Sequence, residues 1–253
     1  AFAQLIGETT RTFFRIGYGF ARSRNGAVNM HAVTCLPAIT GAWQYEGGGA
    51  LHSNSGMYKW NKTAIMGFDA PKGRGRSLDQ SRIGAVLTGD AFDLQGGPPV
   101  TAMLVQNTNP ASVAPDQTLV KKGLAREDLS LGGHEQFITE TAKYADILLP
   151  ASMFLEHDDI YQGGGRSHIM YGGKLVEAPG ECRNNHEVVK AIAERVGAEH
   201  KGFHMEPREL IAETLRASRR APLDELEEQN WIDVQTGFET AHFLKGFGHP
   251  DGK

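Results

Sequence analysis

Residues 134–159, His-Glu-Gln-Phe-Ile-Thr-Glu-Thr-Ala-Lys-Tyr-Ala-Asp-Ile-Leu-Leu-Pro-Ala-Ser-Met-Phe-Leu-Glu-His-Asp-Asp, constrain the fold more than any other stretch. An acidic turn, a short helical run, an apolar strand closed by Pro150 and a polar cluster follow one another within one βαβ-sized segment. The same alternation surrounds it. Thr101–Val105 reads as a strand bounded by Pro98-Pro99 and Asn107, and Pro115–Lys122 as the start of a helix. Leu129–Leu131 predicts a strand, Thr139–Tyr144 a helix and Ile147–Leu149 another strand. Strands and helices alternating at this spacing predict an α/β fold: a mostly parallel sheet covered by helices, Rossmann-like and doubly wound.

The rest of the chain is organised around that core. Thr12–Ile16 predicts a strand, the loop Gly17–Gly26 follows, and Ala27 to Thr40 carries a helical period closed by Gly41. Pro37 should kink or shorten that helix, because proline lacks the N–H that the helix interior needs. Residues 1–45 are thus the end of one α/β unit or a first βα unit. Residues 46–100 open on Gly47-Gly48-Gly49 and show little periodicity, which predicts a long irregular insertion with short helices around Leu78 to Leu87. Residues 101–200 form the α/β core, in which 186–197 make an amphipathic helix stopped by Gly197. Residues 201–253 supply helices at Pro207–Ala217 and Pro222–Trp231 and a Gly- and His-rich tail.

Composition narrows the function classes. A hydrophobic content of 40% and a charged content of 22% suit a soluble globular protein, and a net charge of −4 gives no footprint for nucleic acid. No run of about 18 apolar residues exists to insert in a membrane. The N-terminus, Ala1-Phe-Ala-Gln, has neither an initiator Met nor a signal-peptide pattern, so the expectation is a chain cut from something longer. Cys35 and Cys182 lie far apart, without the spacing of a zinc or iron–sulfur site. Cys35 falls in an apolar helical pattern and is expected in the core.

Candidate site residues sit where strands end. Gly17-x-Gly19 between a strand and a helix suggests a dinucleotide loop, but Arg22 replaces the third glycine and no acidic residue follows about twenty positions on. What survives is a glycine turn feeding a helix N-terminus, a phosphate cradle with Arg22 and Arg24 beside it. Asn107 and Asn109 follow the strand at 101–105, at the edge where parallel sheets open a crevice. An amide pair there suits a purine edge or a ribose; capping a helix or holding a turn is the competing role. His134-Glu135 occupies the same place after the next strand. Its carboxylate can accept from a ribose diol or from guanine N1–H and N2–H, or else cap a helix. Glu156-His157-Asp158-Asp159 resembles a hydrolytic metal site, yet adjacent residues on one loop rarely converge on one ion.

Several blocks occur in order: Gly17-Tyr-Gly-Phe-Ala-Arg-Ser-Arg24, Leu36-Pro-x-x-Thr-Gly41, Gly47–Gly49, Gln106-Asn-Thr-Asn-Pro110, the 134–159 segment, and Ala178-Pro-Gly-Glu-Cys-Arg-Asn-Asn185. From about Thr12 onward the chain resembles the molybdopterin oxidoreductase family, the dimethyl-sulfoxide-reductase class that holds molybdenum between two molybdopterin guanine dinucleotides. The resemblance implies an internal fragment of such an enzyme, one that seats one of the two dinucleotides. It brings Gly17, Gly19, Phe20 and Arg22 to the pyrophosphate or pterin, lines the nucleotide crevice with Asn107 and Asn109, and sets His134 and Glu135 on the guanosine. His157 and Asn185 match further cofactor contacts; some relatives have Lys and Asp at these positions. The molybdenum ligand and any N-terminal iron–sulfur cluster would lie outside this chain, so the fragment alone is expected to be inactive and to hold no metal. Expected partners are the missing domains of the same polypeptide and an electron-transfer subunit, in the cytoplasm or the periplasm. A stand-alone α/β nucleotide-binding module without redox chemistry is the alternative.

Overall fold

The computed structural model describes residues 1–70 and 75–251. Residues 71–74 of the predicted insertion and the last two residues of the predicted tail lie outside the described residues. In chain order the strands are β1 (Phe13–Arg15), β2 (Gly49–Leu51), β3 (Ala102–Gln106), β4 (Ser130–Glu135), β5 (Ile147–Pro150), β6 (Asp159–Gln162), β7 (His168–Gly172) and β8 (Trp231–Asp233). The helices are α1 (Phe2–Glu8), α2 (Gly26–Ile39), α3 (Thr63–Met66), α4 (Ile83–Thr88), α5 (Pro110–Val113), α6 (Gln117–Leu124), α7 (Asn185–Val196), α8 (Pro207–Ala217), α9 (Leu223–Gln229) and α10 (Phe238–Ala241). The strands form three small sheets, β1-β2, β3-β4-β5 and β6-β7-β8. The first two are parallel throughout, and β8 runs antiparallel to β7. The class is α/β, with parallel sheets flanked by helices.

The chain divides into two compact units: residues 62–159 with 172–214, and residues 1–61 with 160–171 and 215–253. In the first of these, the core lies on one face of β3-β4-β5. Val105 and Leu131 pack with Leu87 of α4 and with Val120 and Leu124 of α6. Two glycines let α4 and α6 approach closely. A Cβ at Gly84 would stand 2.8 Å from Leu119 Cβ, and one at Gly123 2.4 Å from Leu87 Cβ. Both distances are too short for any real side chain, so either Gly→Ala change would force the helices apart. On the other face of the sheet Leu104 and Ile147 stay 43% and 62% exposed.

Local chemistry explains where the elements differ from their sequence expectation. β4 continues to Glu135 through Gly132-Gly133, where the apolar pattern alone stops at Leu131. Neighbouring side chains fill the space above the glycines: Leu104 lies 3.3 Å from an ideal Cβ at Gly132, and Leu148 3.0 Å from one at Gly133. The helix expected over 139–144 shrinks to a single 3-10 turn, Ala142–Tyr144. The Thr141 N–H is drawn to Asn109 Oδ1 (3.1 Å) and away from any helical carbonyl. Pro37 sits in the last turn of α2, so it removes only one bond, and Gly41 (φ 73°) ends the run. α7 begins with a reciprocal capping box between Asn184 and Glu187 and ends at Gly197 in the left-handed region. The insertion expected to be irregular contains β2, and the sheet β6-β7-β8 has no counterpart in the sequence expectation. Cys35 is half-buried, with Sγ 3.7 Å from His31 Nε2, and is not the core residue expected; both cysteines are free.

In the other unit Tyr58 (1% exposed) is the largest fully buried side chain. Its hydroxyl donates to the Arg166 carbonyl (2.7 Å) and accepts from Gly163 N–H (3.3 Å), which ties the β6–β7 loop down. Tyr58→Phe leaves both backbone groups without that partner and should cost about 1–3 kcal/mol, measurable by urea unfolding.

Asp69 gives a pH prediction. Hydrogen bonds from His200 (2.8 Å) and Lys201 (3.1 Å) lower its carboxyl to about 2. A depressed folded-state value means the carboxylate stabilises the fold above its unfolded value, near 4. That contribution should fade as pH falls from about 4 through about 2. Asp69→Asn should flatten the stability profile in this window, read by thermal unfolding at stepped pH.

Candidate cofactor-binding site

Parallel pairing aligns the carboxyl ends of β3, β4 and β5, where Gln106 pairs with His134 and His134 with Leu149. The edge continues past β5: Arg183 forms a parallel bridge with Ala151, donating to Pro150 O (3.1 Å) and accepting from Ser152 N (3.0 Å). The segment that leads into α7 is therefore added to this edge like a further strand.

His134 is 0% exposed, and both its ring nitrogens are engaged. Nε2 lies 3.1 Å from the Arg183 carbonyl oxygen, and Nδ1 3.0 Å from Gln106 Nε2. A carbonyl only accepts and an amide NH₂ only donates, so the proton sits on Nε2 and Nδ1 accepts. Gln106 Nε2 gives its other hydrogen to Asn185 Oδ1 (3.0 Å). The guanosine contact expected of His134 is thus corrected, because no atom of the ring reaches the surface. Burial forces this outcome, since an imidazole taken out of water must find its partners inside.

Asn109 is also directed inward. Its Oδ1 accepts from Thr141 N (3.1 Å) and Oγ1 (2.7 Å), its Nδ2 donates to Ser112 (3.1 Å), and Thr141 Oγ1 in turn accepts from Ala111 N (3.0 Å). It clamps the turn after β3 to the turn after β4. Asn107, at φ 55°, is exposed, and its side chain has no partner among the described residues. Glu135 is half-buried; Oε1 accepts from Gln136 N (2.9 Å) and holds its own turn, leaving Oε2 open. The enclosed space at these strand ends is about 10 Å³, too small for a base, so a ligand would lie on the rim. A groove of about 810 Å³ runs from it along β3, past Gln106, Thr108 and Pro110.

The Glu156–Asp159 cluster does not converge. Glu156 accepts from Met153 N (2.8 Å), His157 Nδ1 meets Ser152 Oγ (2.8 Å), and Asp158 accepts from Lys174 N (2.9 Å). Among the described residues no group of three His, Cys, Asp or Glu side chains is placed to hold a metal ion, and no helix is long and apolar enough to cross a membrane.

In the other unit the loop after β1 carries the second set of expected residues. Gly17 and Gly19 have no positive φ, and a Cβ on either would meet nothing within 4 Å. Nothing in this chain demands glycine there, whereas Gly26 does need it: its Cβ would stand 1.7 Å from Phe20 O. The N–H groups of Gly17, Tyr18 and Gly19 make no hydrogen bond among the described residues, and Arg22 and Arg24 are exposed without an ion pair there. Phe20 lines a groove of about 560 Å³ with Phe13, Ile16 and both glycines. His52, just past β2, packs edge-on against Tyr18 (4.9 Å) and leaves Nδ1 buried with no partner among the described residues. Exposed N–H groups and two arginines beside open glycines, all without a partner among the described residues, are chemically suited to an anion.

The family model described as molybdopterin oxidoreductase matches residues 2–195. The chain belongs to that family. Its match to "Probable oxidoreductase YoaE" of Bacillus subtilis (strain 168) is 41% identical over 77% of this chain and 28% of that protein. "Assimilatory nitrate reductase catalytic subunit" of the same organism is 29% identical over 61% of this chain and 23% of its own length. Among solved structures, acetylene hydratase from Pelobacter acetylenicus superposes with a TM-score of 0.52 at 22% identity, over 76% of this chain and 26% of that one, which supports the fold. The chain spans about a quarter of the length of these relatives. Membership of the family implies a molybdenum–pterin cofactor.

Pattern reading missed Gln106, Thr141, Arg183 and His52. Only Gln106 had a usable signal, as a polar residue in phase with Leu104 on an otherwise apolar strand face. Asn109→Ala should destabilise the chain by about 1–3 kcal/mol, because it leaves the buried Thr141 groups without their acceptor. Asn107→Ala should stay within about 0.5 kcal/mol. Paired urea titrations separate the clamp from the exposed residue.

Proposed function

We propose that this chain is the segment of a bis-molybdopterin-guanine-dinucleotide oxidoreductase that seats one dinucleotide, in a polypeptide that continues beyond it. The observation that carries the reading is the rim at the ends of β3-β4-β5, where Asn107, the open oxygen of Glu135 and Asn185 stand beside a fully satisfied polar support. A further observation favours a larger whole. Parallel sheets are normally buried on both faces, yet Leu104 and Ile147 are exposed. Apolar surface left open in this way is what missing domains of the same polypeptide would cover.

On this reading each group of residues has a distinct task. Glu135 accepts from guanine N1–H and N2–H, Asn107 meets the base or ribose, and Asn185 adds a further contact. His157, fixed by Ser152, stands next along the edge. Gly17 and Gly19 let the backbone approach a pyrophosphate or pterin, Phe20 walls the groove, and Arg22 supplies a bidentate donor. When bound, the molybdenum–pterin group would supply the redox chemistry of the whole enzyme, oxygen-atom or hydride-equivalent transfer at the metal. An electron-transfer subunit and any N-terminal iron–sulfur cluster would lie in the rest of that enzyme, and this segment alone is inactive.

The test is base selectivity. Adenine presents an unprotonated N1 to Glu135, so one charge-assisted hydrogen bond is lost, about 1.5–3 kcal/mol or ten- to a hundredfold in affinity. Calorimetric titration of the chain with GDP and ADP should show that preference, and Glu135→Ala should abolish it. Equal binding of the two nucleotides would refute the guanine assignment.

A further inference from the structure

We infer that His134 is a positioning residue that acts through Gln106 to fix the polarity of Asn185, so that Asn185 meets its ligand as a hydrogen-bond donor. The inference rests on the nucleotide-seat reading for the identity of the ligand, but its internal part stands on geometry alone.

The relay begins at a backbone carbonyl. The Arg183 carbonyl oxygen can only accept, so it places the His134 proton on Nε2 (3.1 Å). Nδ1 is then an acceptor, and it takes a hydrogen from Gln106 Nε2 (3.0 Å). That orients the Gln106 amide, whose second Nε2 hydrogen reaches Asn185 Oδ1 (3.0 Å). With Oδ1 turned inward, the Asn185 NH₂ faces away from the protein. It has no partner among the described residues, and Asn185 is exposed. Every link is decided by the one before it. The chain starts at a group that cannot reverse its role and passes through a ring with no exposure to water.

Two features make the device rigid. Gln106 and His134 are register partners on adjacent strands, so the backbone sets their separation. Asn185 is the first residue of α7, whose start is held by the Asn184–Glu187 capping box. An unsupported asparagine turns its amide over at little cost and presents either group; this one is held to one. The acceptor it reads on a ligand is therefore a carbonyl, a ring nitrogen or a ribose oxygen, and not an N–H.

Asn185→Asp separates donor from acceptor, because a carboxylate still accepts from Gln106 while offering oxygen, not NH₂, to the ligand. Guanosine is the probe, since it has no phosphate to be repelled by the new charge. In NMR titrations, Asn185→Ala should weaken guanosine binding about fivefold. Asn185→Asp should weaken it at least as much, and Gln106→Leu should do so in part. If Asn185→Asp binds as well as the unaltered chain, Asn185 works as an acceptor and the inference is overturned.

A ligand-free measurement tests the relay separately from the seat. Two-bond ¹H–¹⁵N correlations of the His134 ring should show the Nε2–H tautomer with an unprotonated Nδ1. The Nδ1 resonance should shift in Gln106→Leu and stay in place in Asn185→Asp. A proton on Nδ1, or no response to Gln106→Leu, would overturn the relay. If the relay holds while guanosine fails to bind, the nucleotide seat is refuted, and with it the ligand-facing role given to Asn185.

Discussion

The parallel register of β3, β4 and β5 is the constraint on which the candidate site depends. Partner residues in a parallel sheet point to the same face, so the pairings Met103↔Leu131 and Gln106↔His134 fix what each face carries. Leu131 enters the core beneath α4 and α6, and His134 turns to the opposite face beneath Arg183. A slip of one residue in β4 would exchange them. An imidazole in the apolar core would lose both partners, at a cost of several kcal/mol, while Leu131 would lose its burial. Core packing and the polar network therefore enforce one register together.

Order then spreads from the sheet edge through side chains more than through helices. Asn109 and Thr141 join the start of α5 to the loop after β4 by three contacts with one another and with Ala111. Arg183 extends the edge beyond β5 and offers one carbonyl to both Ser152 and His134. Asn107 and Glu135 each follow a residue of this scaffold directly, and Asn185, the first residue of α7, is bonded to Gln106. The three groups proposed to meet a ligand are thus held by strand ends and by a capped helix start.

Much of this was legible in the sequence, for reasons that can be named. Apolar runs bounded by Pro, Gly and Asn marked β3, β5 and the start of β4, and Gly197 marked the end of α7. The blocks at 106–110, 134–159 and 178–185 pointed to the family that the wider comparison shows. What stayed hidden was the direction of side chains. Asn107 and Asn109 look alike in the sequence, but a left-handed backbone at Asn107 and the N-cap position of α5 at Asn109 send one outward and the other to Thr141. His134 looked like a contact residue because it stands at a strand end. Its burial depends on Arg183, which is remote in sequence and carries no periodic signal. The sheet β6-β7-β8 was missed for a similar reason, since a three-residue strand such as β8 is too short to display a period.

Charge shows why local arrangement outweighs composition in a chain of this kind. With a net charge of −4, the chain as a whole should repel an anion. At physiological salt, however, screening confines exposed charges to about 8 Å, so distant carboxylates contribute little at a given loop. What counts is the set of groups within that distance. In the loop after β1 these include three N–H donors without partners and the side chain of Arg22, which no carboxylate neutralises among the described residues. Leaving such donors unpaired would cost about 1–3 kcal/mol each if they were buried; residues 17–19 are exposed, so the fold does not bear that cost. Glycine at 17 and 19 leaves the space beside these N–H groups open, which on the proposed reading is where an anion would approach. A net acidic charge is therefore no obstacle to the proposed seat, since the N–H groups and Arg22 are gathered at one loop while carboxylates elsewhere are committed, as Asp93 is to Arg82 and Asp128 to Arg126.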